Sequence, residues 1–121
     1  LALMGQRVLI VDDDAEIATM LSRALLRSGF TIETLRDPAQ AIDRAASAGF
    51  DAALLDLVMP GQDGMALASA LREKVPGMKI ALLTGYTHSP LLEAAERRGV
   101  AVFIKPVVIH EIVEFLQRKD A

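Results

Sequence analysis

Three carboxylates and a lysine each stand at the end of a short apolar run. Asp12 and Asp13 close Val8-Leu9-Ile10-Val11, Asp56 closes Ala52-Ala53-Leu54-Leu55, and Lys105 closes Ala101-Val102-Phe103-Ile104. If the runs are parallel strands of one sheet, these charges gather at a single edge. Crowded carboxylates repel one another, and one is driven toward protonation unless a cation intervenes. Carboxylate oxygens with room left for water suit Mg²⁺ better than zinc. An accessible carboxylate in such a place could attack phosphorus and form an acyl phosphate. Mg²⁺ would screen the incoming charge, and positioning would supply most of the rate.

The neighbours of these residues fit the same chemistry. Lys105 lies between Ile104 and Pro106, and its compact ammonium could pair with Asp56 or with a phosphoryl group on it. The Lys105-Pro106 bond is a candidate cis peptide that would turn the lysine into the site. Thr84 ends Ile80-Ala81-Leu82-Leu83, and Gly85 after it leaves space for a group to enter. Its hydroxyl could hydrogen-bond a phosphoryl oxygen, although a lone threonine at a strand end is most often an ordinary strand residue. Taken alone, the run Asp12-Asp13-Asp14 reads equally as a helix cap in a solvated loop. Asp56 at the same edge tips Asp12 and Asp13 toward a site, while Asp14 remains a cap. From Asp56 onward, Pro60-Gly61 and Asp63-Gly64 are turn signals, predicting a loop of about eight residues that leads into a helix.

The elements that must position these residues repeat five times. Strands are expected at 7–11, 31–35, 52–55, 79–83 and 101–104, with helices near 14–28, 38–48, 64–75, 90–98 and 108–118. Ile17, Leu21, Ala24 and Leu25 form one stripe at helical spacing; Ile109, Ile112, Val113 and Leu116 form another. Asp37-Pro38 and Ser89-Pro90 each read as a cap followed by proline at the first helical position. Gly29, Gly49, Gly77 and Gly99 follow the first four helices, where a left-handed residue is wanted. Strands alternating with helices imply right-handed crossovers and a parallel sheet covered on both faces. The first, third and fifth runs are nearly all apolar, as buried central strands are. The second, Thr31-Ile32-Glu33-Thr34-Leu35, alternates and reads as an edge. Ligands of such sheets bind beyond the carboxyl ends of the strands, where these charges fall.

Composition narrows the class further. The 121 residues fit one domain, 7–119, after a lead-in or linker at 1–6. The absence of cysteine excludes disulfides and thiolate zinc sites and is compatible with the cytoplasm. His88 and His110 lie in separate segments and give no zinc pattern. A net charge of −3 argues against a surface held to nucleic acid by phosphate contacts. No apolar stretch is long enough to insert in a membrane.

Together the motifs resemble the receiver domain of bacterial two-component response regulators over residues 7 to about 118. They are the acidic pair after strand one, Asp-x-x-Met-Pro-x-x-Asp-Gly after strand three, Thr-Gly after strand four and Lys-Pro after strand five. Each is weak alone; four in the right order are specific. The resemblance implies an α/β, flavodoxin-like (βα)5 three-layer sandwich with a parallel five-stranded sheet in the order 2-1-3-4-5. It implies Asp56 as phosphoacceptor, and Mg²⁺ held by Asp12, Asp13, Asp56 and the backbone carbonyl of Val58. It makes Thr84 the switch hydroxyl, beside Gly85, and Lys105 the phosphate-pairing lysine. Its partners would be a histidine kinase or histidine phosphotransfer protein and an output reached through the helix 4–strand 5–helix 5 surface.

Some positions depart from the family pattern. Its aromatic switch falls three residues before the lysine, which here is Val102; either Phe103 takes the role or the switch is absent. Val107 stands where a phenylalanine is common after Lys-Pro. Val58 and Tyr86 occupy places that tune how water reaches the acyl phosphate, and an apolar Val58 cannot orient water by a side-chain hydrogen bond. Two rivals carry less of the sequence. A haloacid-dehalogenase-like phosphatase would use Asp12 as nucleophile but leaves Asp56 unexplained. A receiver-like module that binds partners without phosphorylation would not need its complete set of side chains.

Overall fold

All five apolar runs form strands in the computed structural model, which describes residues 6–59, 61–85 and 90–118. The strands β1 (Arg7–Val11), β2 (Thr31–Leu35), β3 (Ala52–Asp56), β4 (Lys79–Thr84) and β5 (Ala101–Ile104) pair in parallel in the spatial order 2-1-3-4-5. Helices α1 (Ala15–Arg27), α2 (Ala41–Ala48), α3 (Gly64–Lys74), α4 (Pro90–Arg97) and α5 (Ile109–Gln117) connect them or close the chain. None of the described helices is long and apolar enough to cross a membrane.

Side-chain parity along the strands divides the interior into two cores. Leu9, Val11, Ala53, Leu55, Ile80 and Leu82 face one side, where Ala41 and Ala45 of α2, Leu67 and Leu71 of α3, and Leu92 and Ala95 of α4 cover them. Val8, Ile10, Ala52, Leu54, Ala81 and Leu83 face the other, under Leu21 and Leu25 of α1 and Ile112 and Leu116 of α5. Burial on both faces explains why the central strands read as unbroken apolar runs.

Local chemistry sets the helix starts. Asp14 caps α1, accepting from Glu16 N at 2.9 Å and Ile17 N at 3.3 Å. Asp37 accepts from Ala39 N at 2.9 Å and begins a 3₁₀ turn, Pro38–Gln40, which runs into α2. The glycines at 29, 49, 77 and 99 all take positive φ, as expected. The cap expected at Ser89 lies outside the described residues, as do Pro60, Tyr86 and His88 and most of the lead-in.

Three expectations are corrected. First, β3 and β4 each run one residue further than expected, so Asp56 and Thr84 are the last residues of strands and not the first of loops. The parallel ladder carries them: Leu57 N donates to Leu83 O at 2.9 Å, and Lys105 N to Thr84 O at 2.7 Å. Second, the segment after Asp56 is not a plain loop but a small antiparallel hairpin, Val58–Met59 against Gln62–Asp63. Third, the apolar run of β5 does not mark a buried central strand: β5 is the edge strand of the order 2-1-3-4-5, half-buried at 101–103 and exposed at Ile104.

At the opposite end of the sheet, Lys79 opens β4 beside Ala52, the first residue of β3. Its Nζ donates to the carbonyls of Phe115 at 3.0 Å and Leu116 at 3.2 Å, and to that of Arg118. A cation there adds a donor to the last carbonyls of α5, whose other contacts are long, and meets the negative end of its dipole.

Candidate functional site

The carboxyl ends of β1, β3, β4 and β5 converge as their sequence positions predict. Asp12 follows β1 and is fully buried. Its backbone N–H donates to Leu35 O at 3.1 Å, and its Oδ1 accepts from Asp14 N at 2.9 Å. These bonds use one carboxylate oxygen and leave Oδ2 toward Lys105. Asp13 is more open to solvent. Asp56 ends β3 with 7% of its surface exposed, and its Oδ1 accepts from Val58 N at 3.3 Å.

Lys105 bridges the two buried carboxylates. Its Nζ is 3.4 Å from Asp12 Oδ2 and 3.4 Å from Asp56 Oδ1. The Lys105–Pro106 peptide is cis, as the dipeptide suggested. One cation does not neutralise this cluster. Burial, and then the Asp12 charge, push the Asp56 carboxyl up to about 6, against the lowering effect of Lys105 and the Val58 N–H.

Oxygens of Asp12, Asp13 and Asp56 all come within 4.8 Å of one another. An all-carboxylate set whose crowded charge raises the proton affinity of Asp56 fits a hard divalent cation such as Mg²⁺. Thr84 is buried on the strand next to Asp56, one step past Leu83, the residue paired with Asp56 across the ladder. Gly85 is exposed, and a Cβ there would meet nothing within 4 Å.

The aromatic position resolves by parity. Phe103 packs on the α1/α5 side, with its ring edge-to-face against Phe115 at 5.6 Å. Val102 packs on the other side, which Thr84 shares as the next but one residue after Leu82. Val107 joins the α1/α5 core, Val58 is 51% exposed, and Tyr86 lies outside the described residues. Gly64, read from sequence as a turn residue, the start of a helix and the end of the Asp-x-x-Met-Pro-x-x-Asp-Gly motif, donates its N–H to Leu57 O at 2.6 Å, next to Asp56.

The profile described as "Response regulator receiver domain" matches residues 8–117. The chain belongs to that family. It is 32% identical over 112 residues to the DNA-binding transcriptional regulator NtrC of Escherichia coli K12, a match covering 92% of this chain and 24% of that protein. It is 36% identical over 105 residues to protein-glutamate methylesterase/protein-glutamine glutaminase 1 of Anaeromyxobacter dehalogenans, covering 85% of this chain and 30% of that one. The receiver domain thus spans less than a third of either relative's length. Among solved structures it is similar to the chemotaxis protein CheY4 of Vibrio cholerae, with a TM-score of 0.83 and 30% identity over 95% of this chain and 98% of that one. The CheY-like, flavodoxin-like fold and the buried aspartate cluster agree with a phosphorylation-dependent signalling switch.

Proposed function

We propose that this receiver, one domain over 7–119, takes a phosphoryl group onto Asp56 from a phosphohistidine donor and relays that event to an output. The observation that carries the reading is Lys105 Nζ held 3.4 Å from both Asp12 and Asp56, at the strand end where Asp13 also converges. Asp12, Asp13, Asp56 and the Val58 carbonyl would hold Mg²⁺, which when bound supplies positive charge to the incoming phosphoryl group.

The side chains of the chain do the rest. An Asp56 oxygen attacks phosphorus while the P–N bond to the donor imidazole breaks, and the electron pair leaves on the imidazole nitrogen. Lys105 then exchanges a carboxylate partner for a phosphoryl oxygen, and the Thr84 hydroxyl donates to another. Both moves bias a two-state surface around α4, β5 and α5 toward the output-binding form. Thr84 and Val102 share a face of the sheet while Phe103 lies on the other, which favours a relay without an aromatic switch. An exposed, apolar Val58 places no hydrogen-bonding group on attacking water, so self-dephosphorylation is slow to moderate.

The donor is a histidine kinase or histidine phosphotransfer protein in the cytoplasm, and the chain carries no turnover beyond making and losing its own acyl phosphate. The esterase in one relative's name belongs to a longer protein. A phosphatase using Asp12 as nucleophile is disfavoured by that residue's full burial and its two polar partners. In the deciding experiment, the protein is incubated with acetyl phosphate and MgCl₂ and weighed intact. Wild type gains one phosphoryl group, chelation prevents the gain, and Asp56→Asn loses it. Undiminished labelling of Asp56→Asn would sink the reading.

A further inference from the structure

Gly64 is the first residue of α3, it is buried, and it presses on the backbone of Asp56. A Cβ built on it would stand 2.4 Å from the Asp56 carbonyl oxygen, 2.8 Å from Leu57 Cα and 3.0 Å from the Asp56 carbonyl carbon. All three neighbours are backbone atoms, so no side chain can rotate aside. The residue that follows Asp56 is held from both sides. Gly64 N donates to Leu57 O at 2.6 Å from α3, and Leu57 N donates to Leu83 O at 2.9 Å on β4. Gly64 is absent from the residues with positive φ, so its conformation is open to any amino acid. Alanine would even be the better helix former. What forbids a side chain is the contact alone.

We propose that Gly64 is a positioning residue for Asp56. Its missing side chain lets the first turn of α3 close on the Asp56–Leu57 peptide, which fixes the direction in which the carboxylate leaves β3. The proposal rests on Asp56 being the phosphoacceptor and metal ligand. Any Cβ at position 64 must separate α3 from that peptide by roughly 1 Å, a displacement that costs about 100-fold where rate depends on orientation.

The test compares Gly64→Ala with Ala68→Gly, a buried change one turn further along α3 that loosens the helix without touching the Asp56 peptide. Thermal melts, labelling by acetyl phosphate, and Mg²⁺ affinity by isothermal titration are measured on all three proteins. Gly64→Ala is expected to fold, to be labelled at least ten-fold more slowly than wild type, and to bind Mg²⁺ more weakly. Ala68→Gly is expected to melt lower yet label at the wild-type rate. Wild-type labelling by Gly64→Ala overturns the proposal, as does equal slowing in both variants. A Gly64→Ala protein that cannot fold also overturns it, because Gly64 then serves the fold and not the site. Should wild type itself take no phosphoryl group, the phosphoacceptor reading fails separately. Mg²⁺ affinity still judges Gly64 in that case: a fall in Gly64→Ala alone supports positioning, and no change overturns it.

Discussion

Burial and the Asp12 carboxylate both penalise an ionised Asp56, and Lys105 offsets only part of that penalty. An acid whose folded pKa is raised binds its proton more tightly in the folded state than in the unfolded chain. Its contribution to stability is therefore intact below the unfolded value near 4 and is lost as pH rises through about 6. In metal-free buffer, Asp56→Asn should be more stable than wild type at pH 7.5 by on the order of 1–3 kcal/mol. Denaturant melts should show that gap closing toward pH 4.5; a gap that widens on acidification contradicts the assignment. The charged residues of this site were legible because each ends an apolar run, and strand ends of a parallel sheet share one edge. The close contact of Gly64 with the Asp56 backbone was not legible, although its place in the motif was. Its constraint arises from the approach of two backbone segments, which neither periodicity nor residue type encodes. Nor could a string of letters say that Val102, and not Phe103, shares a face with Thr84, since that depends on where the strand begins its alternation.

Among the elements, α5 shows how much stability a single cation can hold at a helix end. Lys79 reaches it from the first position of β4 and donates to two of its last carbonyls at 3.0 and 3.2 Å. Lys79→Met should lower stability by about 1–2 kcal/mol, through the lost hydrogen bonds to these carbonyls and the lost interaction with the helix dipole. The exposed pair of Arg44 and Glu33, although bidentate, is screened by water. Glu33→Gln should leave the denaturation midpoint unmoved, and a loss as large as that of Lys79→Met would contradict this ranking. The helices were legible through caps and stripes, and the five strands of the sheet through their apolar or alternating runs. Two features escaped the pattern of runs. The hairpin after Asp56 has strands of two residues each, too short for any periodic signal. The edge position of β5 came only from the strand order that the resemblance implied, because helices over both faces make an edge strand nearly as apolar as a central one.

At the scale of the whole molecule, a metal held by the acidic cluster would be coupled to folding. A ligand that binds only the folded state stabilises it by an amount set by its concentration over Kd, about 2.7 kcal/mol at a hundred-fold excess. For a domain of this size that is roughly 10 °C in Tm. MgCl₂ should therefore raise the Tm of wild type in a saturable way, and a chelator should reverse it. Asp13→Asn should shift the titration to higher Mg²⁺ without lowering the metal-free Tm, because Asp13 is the more exposed carboxylate. An unchanged titration would remove Asp13 from the metal set.

The lysine at the start of β4 also has a practical consequence for anyone handling the protein. By pinning the last turn of α5 beside the first residues of β3 and β4, it fixes where a chain continued past Gln117 must emerge. That point is a full strand length from Asp56, roughly 17 Å at the rise of a parallel strand. A fluorophore, affinity tag or surface tether grafted there would leave the mouth of the pocket open to a donor as bulky as a helical bundle. The same graft placed ahead of α5, near the exposed Val108, would stand three residues past Lys105, at the end of the sheet where Asp56 lies.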